Sequence, residues 1–141
     1  MTMQPFNETD VIETPFVGTL VRRYATPKEA DPTGRAPNEP GAKLDHGKPL
    51  PHLVLGGFSK ALEHVVAVGT YGAQKYSPNG WQHVPNGVER YSEAMLRHYF
   101  AEYREGKDPD TGLLHAAHLA WNALARLHCI IKELEDNEVR P

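Results

Sequence analysis

From residue 57 onward the apolar positions of this chain recur every three or four residues, and that period restricts the fold to packed helices. "FSKALEHVVAVGTYGAQKY" sets Leu62, Val65, Val66 and Gly69 on one side, and Ser59 suits a helix start, which predicts a first helix over about 57–75. "SPNGWQHVPNG", with two Asn-Gly pairs and two prolines, is turn chemistry. "VERYSEAMLRHYFAEYREG" predicts a second helix over about 87–105, stopped by Gly106 and Pro109. Asp110 and Thr111 are candidate caps for a third, over about 112–136, with Leu113, Ala117, Leu119 or Ala120, Leu124, Leu127 and Ile131 available to a core.

The first forty residues differ in kind. Eight of the twelve prolines fall within residues 1–51, and "TPKEADPTGRAPNEPG" has no apolar period. The expected organisation is an extended arm over 1–40, with a short strand possible in "PFVGTLVRRY", a helical domain over 41–136 and a tail over 137–141. The fold class is all-α, a three-helix bundle with an extended N-terminal arm. Such a small core is expected to be completed by oligomerisation, as a dimer or tetramer, because Leu119, Trp121, Leu124 and Ile130 spread over more than one side of the third helix.

At 141 residues there is room for one ordinary domain. The net charge of -3 supplies no basic field for duplex DNA. Cys129 is the only cysteine, which excludes internal disulfides and any multi-cysteine zinc site. No segment approaches the roughly 18 apolar residues of a membrane span, and the first residues lack a signal pattern. These features lead to the expectation of a soluble cytoplasmic protein.

Polar residues inside the helical segments carry the chemistry. Each helical step turns the chain by about 100°, so His98, Glu102 and Glu105 share one stripe of the second helix, and His115, His118 and Asn122 share one of the third. The short link "GKDPDTG" makes these helices antiparallel and brings the stripes together, with Asp108 and Asp110 at the rim. Glu-x-x-Glu alone fits a solvated face, and His-x-x-His alone fits a satisfied pair. Together they suit a divalent metal, since carboxylates favour Mg²⁺ or Mn²⁺ and imidazole is better tolerated by Mn²⁺, Co²⁺ or Zn²⁺. The candidate metal set is His98, Glu102, Glu105, Asp108, His115 and His118.

Two further stretches suit a nucleotide. "GAKLDHGKPLPHL" places Lys43, Asp45, His46 and Lys48 amid glycine and proline, a composition fitting either phosphate binding or a solvated turn. "YGAQKYSPNGW" brings Lys75, Tyr76 and Trp81 close in sequence, where a base could stack beneath a cation, or where the tryptophan simply joins a core.

Read together, "GAKLDHGKP", "YGAQKYSPNGW" and "RYSEAMLRHYFAEYREGKDPDTGLLHAAHLAWN" resemble the phage dATP/dGTP diphosphohydrolase N-terminal domain family, a divergent branch of the MazG-like all-α pyrophosphohydrolases. The resemblance covers about residues 41–128. It implies a MazG-like bundle and a Mg²⁺- or Mn²⁺-dependent enzyme, with two or three ions, that cuts a deoxynucleoside triphosphate into monophosphate and pyrophosphate. Some members resemble the phage enzyme that supplies dGMP for genomes containing 2-aminoadenine, which implies a host-cytoplasmic location if the gene is a phage's.

MazG-like enzymes carry Glu-x-x-Glu on one helix and Glu-x-x-Asp on the next. Here Glu102 and Glu105 supply the first motif, His115 and His118 stand in the second, and Arg97-His98 lies one turn before the glutamates.

On this reading His98, Glu102, His115 and His118 are the catalytic candidates. Lys43, Lys48, Lys75 and Arg97 neutralise phosphate, Asp45, Tyr76 and Trp81 meet a purine, and Asn122 holds the 3′-hydroxyl or orients an imidazole. dGTP ranks before dATP. The alternatives are another metal-dependent nucleotide phosphohydrolase and a non-catalytic nucleotide- or metal-binding module.

Overall fold

The computed structural model describes residues 29–138. They fall into two compact units, one ending at Leu50 and the other beginning at Pro51. The expected strand in "PFVGTLVRRY" lies outside the described residues.

The second unit is all-α. It contains a short α1 (His52–Leu55), α2 (Ser59–Lys75), a 3₁₀ turn over Gly80–His83, α3 (Gly87–Glu102) and α4 (His115–Glu138). Among the described residues the sole β-type pairing is an isolated bridge between Lys107 and Leu114.

α1 and α2 are nearly one helix. The Phe58 N–H donates to the Val54 carbonyl at 3.0 Å and the Leu62 N–H to the Phe58 carbonyl at 2.8 Å, so the chain stays coiled through Gly56-Gly57. Ser59 is the first residue of α2, Phe58 holds the cap position, and no side chain caps it.

Both Asn-Gly pairs behave as the composition demands. Asn79 and Asn86 adopt φ of 58° and 54°, a left-handed geometry that asparagine tolerates better than most residues. They turn the chain into the 3₁₀ segment and into α3 respectively.

α3 and α4 form an antiparallel hairpin. His98 meets His115 near the turn, Arg126 Nε donates to Ser92 Oγ at 2.7 Å further along, and Gly87 lies against Cys129 at the far end. A Cβ on Gly87 would stand 2.6 Å from Cys129 Sγ, so only glycine allows that approach.

α2 packs on α4 through a similar gap. A Cβ on Gly69 would lie 2.9 Å from Trp121 Nε1. Trp81 seals this corner edge-on to Trp121 (5.8 Å) and His128 (4.9 Å), and its carbonyl accepts the Tyr91 hydroxyl at 2.7 Å.

The core is small: Val68, Tyr91, Ala117 and Ala125 are its buried apolar residues. Leu124, Leu127 and Val66, expected in it, are exposed, while Val68 and Tyr91 take their place. The reason is that helix α4 turns Ala117, Trp121 and Ala125 toward its neighbours, which rotates Leu124 and Leu127 outward.

Two helix ends also differ from expectation. α3 stops at Glu102 rather than 105, and α4 starts at His115 rather than 112. The intervening chain finds other partners: Asp108 N–H donates to the Leu113 carbonyl at 2.9 Å, and His115 N–H to the Gly106 carbonyl at 3.1 Å. These bonds close a tight turn and remove both flanks from helical geometry. Neither Asp110 nor Thr111 therefore occupies the cap position.

The first unit, over residues 29–50, is built from turns around Asp31. Its carboxylate accepts the Thr33 hydroxyl, the Lys43 N–H at 2.6 Å and the Thr33 N–H at 2.6 Å. Those bonds hold its pKa down at about 2.

Candidate metal centre

The hairpin turn delivers the site. His98 comes from the last turns of α3, Asp108 from the loop, and His115 and His118 from the first turn of α4. His98 Nδ1 and His115 Nδ1 are 2.9 Å apart, and the His98 and His118 rings stack at 4.5 Å with 10° between their planes.

His115 is only 3% exposed, and its Nε2 is buried without a hydrogen-bond partner. Native proteins rarely leave such a nitrogen unpaired, because burying it costs about 1–3 kcal/mol. His98, Asp108 and His115 each offer one donor atom within 4.8 Å of the others.

The loop fixes Asp108. Its Oδ1 accepts the Asp110 N–H at 3.1 Å and the Thr111 N–H at 3.0 Å. Burial works to raise its pKa, but bonds from the Thr111 backbone and side chain and the nearby His118 outweigh it, and the carboxyl stays below its ordinary range. It is an anion at neutral pH.

The imidazoles are shifted the other way. Burial lowers the His98 pKa first, and His118 and His115 lower it further. Burial also lowers that of His118, against a partial offset from Asp108. Both rings are neutral at pH 7, with lone pairs to give to a cation or a proton.

The donors fit a metal ion in kind and spacing. The two Nδ1 atoms, 2.9 Å apart, pair with each other in the metal-free fold, which leaves His115 Nε2 as the nitrogen without a partner. Without an ion the same pair needs one ring to donate Nδ1–H and the other to accept it.

A profile of the dATP/dGTP diphosphohydrolase N-terminal domain family matches residues 38–138. The chain belongs to that family. No curated protein and no solved structure matches the chain.

Within this family member the remaining sequence-derived candidates are distributed unevenly. Glu102 ends α3 and Glu105 follows it, both exposed and outside the three-residue donor group. The expected single stripe of His98, Glu102 and Glu105 does not form, because the helix ends before Glu105. Asp108, expected at the rim, is in the group itself. Arg97, next to His98 in sequence, is exposed.

Asn122 is buried one turn beyond His118, and its Nδ2 donates to the His118 carbonyl at 2.8 Å. Lys75 Nζ lies 5.9 Å and 5.4 Å from the ring centres of Tyr71 and Tyr76, and Tyr76 is exposed. The Trp81 ring is engaged by Trp121 and His128.

In the first unit Lys43, Asp45 and Lys48 line one open hollow of about 730 Å³, together with Glu29, His46 and Leu50. Lys43 Nζ sits 3.3 Å from Asp45 Oδ2 at the surface.

Thr111 was not anticipated as a site residue. Its Oγ1 is 2.9 Å from His118 Nε2 and accepts the Leu113 N–H at 3.2 Å. Sequence alone reads Asp-Pro-Asp-Thr before an apolar run as cap chemistry, and the contact with His118 exists only once the loop closes. The bond from the Lys43 N–H to Asp31 is illegible in the sequence for a comparable reason, since its partners lie twelve residues apart.

Proposed function

We propose that the protein is a metal-dependent hydrolase that converts a purine deoxynucleoside triphosphate and water into the monophosphate and pyrophosphate, with dGTP preferred and dATP second. The observation that carries this reading is the buried, partnerless His115 Nε2 beside His98 and an ionised Asp108. Family membership supplies the nucleotide class.

His98, Asp108 and His115 would hold a divalent ion, and their two imidazoles suit Mn²⁺ better than Mg²⁺. Bound there, it supplies positive charge against the triphosphate and acidity for a nucleophilic water. His98, neutral at pH 7, would give that ion the lone pair of a ring nitrogen. His118 is kept in its orientation by Thr111 and by its stack on His98.

Glu102 and Glu105 are available to further ions when substrate adds its own oxygens. Lys43, Lys48, Lys75 and Arg97 would neutralise phosphate charge, since an ammonium contributes more against a desolvated phosphate than in water. Asp45 can accept the paired guanine N1–H and 2-amino hydrogens, and Tyr76 and Trp81 offer aromatic surface to a purine. Asn122 fixes the His118 backbone or meets the 3′-hydroxyl.

The protein would act as a homodimer or tetramer in the cytoplasm, the host's if the gene is a phage's. Support for assembly comes from exposed Leu96, Tyr99 and Phe100 on α3 and Leu124 and Leu127 on α4. No helix among the described residues is long and apolar enough to cross a membrane.

The test is incubation with each of the four deoxynucleoside triphosphates and Mn²⁺, with chromatographic identification of products. Deoxynucleoside monophosphate with pyrophosphate, fastest from a purine, is expected. Tripolyphosphate or orthophosphate would indicate a different phosphohydrolase, and no turnover a binding module.

A further inference from the structure

The donor group is poor in oxygen. Two of its three members are imidazoles, and the third, Asp108, already gives Oδ1 to two backbone N–H groups. A cluster serving only the fold would pair the carboxylate with an imidazole. Among the described residues no hydrogen bond or ion pair joins Asp108 to any of the three histidines, and His115 Nε2 is left over in a buried position.

Mg²⁺ prefers oxygen ligands and gives up its waters reluctantly, so a site with buried imidazole and one carboxylate suits it badly. First-row transition ions accept imidazole readily. We infer that this centre binds one divalent ion of the first transition series, Mn²⁺, Co²⁺ or Zn²⁺, through His98, Asp108 and His115, and discriminates against Mg²⁺. The inference deepens the proposed hydrolase reading by naming the ion, and rests on that reading only for what the ion is for.

The experiment measures binding without nucleotide. The full chain, stripped with chelator, is titrated by calorimetry with Mn²⁺, Co²⁺, Zn²⁺ and Mg²⁺, and the Co²⁺ complex is followed by its visible absorption. One ion per site is expected, with Co²⁺ bound at least about 100-fold more tightly than Mg²⁺ and Mn²⁺ between them.

His98→Gln and Asp108→Asn should each weaken Co²⁺ binding at least about tenfold and change its spectrum. Asp110→Asn, on the exposed neighbour, should do neither. Asp108→Asn retains the Oδ1 that accepts the loop N–H groups, so it tests the ligand without opening the turn. Helical circular dichroism checks that each variant is folded.

Equal affinity for Mg²⁺ and Co²⁺, or Co²⁺ binding indifferent to both His98→Gln and Asp108→Asn, would overturn the assignment. Selective binding with no triphosphate turnover would uphold the site and remove the hydrolase reading. Turnover at a site with no ion preference would do the reverse.

Discussion

A His115→Leu substitution replaces the buried imidazole with an apolar side chain of similar size and so removes the partnerless Nε2. That nitrogen costs about 1–3 kcal/mol in the metal-free fold. Against this, the substitution deletes the Nδ1 contact between His98 and His115, a bond with a net contribution of about 0.5–1.5 kcal/mol. His98 is only half-buried, so its freed nitrogen can turn to water.

The balance makes the metal-free variant more stable than the parent by on the order of 1 kcal/mol, or about 4–8 °C in Tm for a unit of this size. Metal reverses the order. At a concentration of 100 times Kd, the parent gains about 2.7 kcal/mol by linkage and the variant, lacking a ligand, gains little. Thermal melts followed by helical circular dichroism at pH 7.5, in chelator and then with excess Mn²⁺, read both effects. If the variant in chelator is less stable than the parent by more than about 1 kcal/mol, Nε2 was never a liability and the argument from its isolation fails.

Acid should weaken the metal-free fold through His98 and His118. Their folded pKa values are depressed, so between those values and the unfolded value of about 6.5 the unfolded chain binds more protons. Stability is thus full above pH 6.5 and is lost as pH falls through that window; denaturant midpoints that stay level from pH 7.5 to 5 would contradict the burial of these rings. Thr111→Val should remove the hydroxyl that bonds the Asp108 carboxylate and weaken Mn²⁺ binding about 10–100-fold, while Thr111→Ser retains most of it, as calorimetry would show. Gly69→Leu should cost at least about 2 kcal/mol in urea denaturation, because its side chain must enter space occupied by Trp121; a neutral effect would mean that α2 and α4 are not in contact there.

The helices were legible because burial of one face imposes its period on the chain: "FSKALEHVVAVGTYGAQKY" and "LLHAAHLAWNALARLHCII" declare themselves residue by residue. The antiparallel pairing of α3 and α4 followed from the shortness of their link, and the meeting of His98 with His115 and His118 followed from that pairing. Short-range rules suffice for such features. The position of Asp108 inside the donor group, the exposure of Glu102 and Glu105, and the contact of Thr111 with His118 did not follow. They depend on where α3 stops, and that is decided by the backbone bonds from Asp108 to Leu113 and from His115 to Gly106 across the turn. Likewise, only packing turns Leu124 outward and Tyr91 inward, since two helices of one pattern can rotate until Gly69 and Gly87 let their neighbours approach. Periodicity tells each helix that it has a buried face, but the angle at which that face meets another is set by the side chains of both.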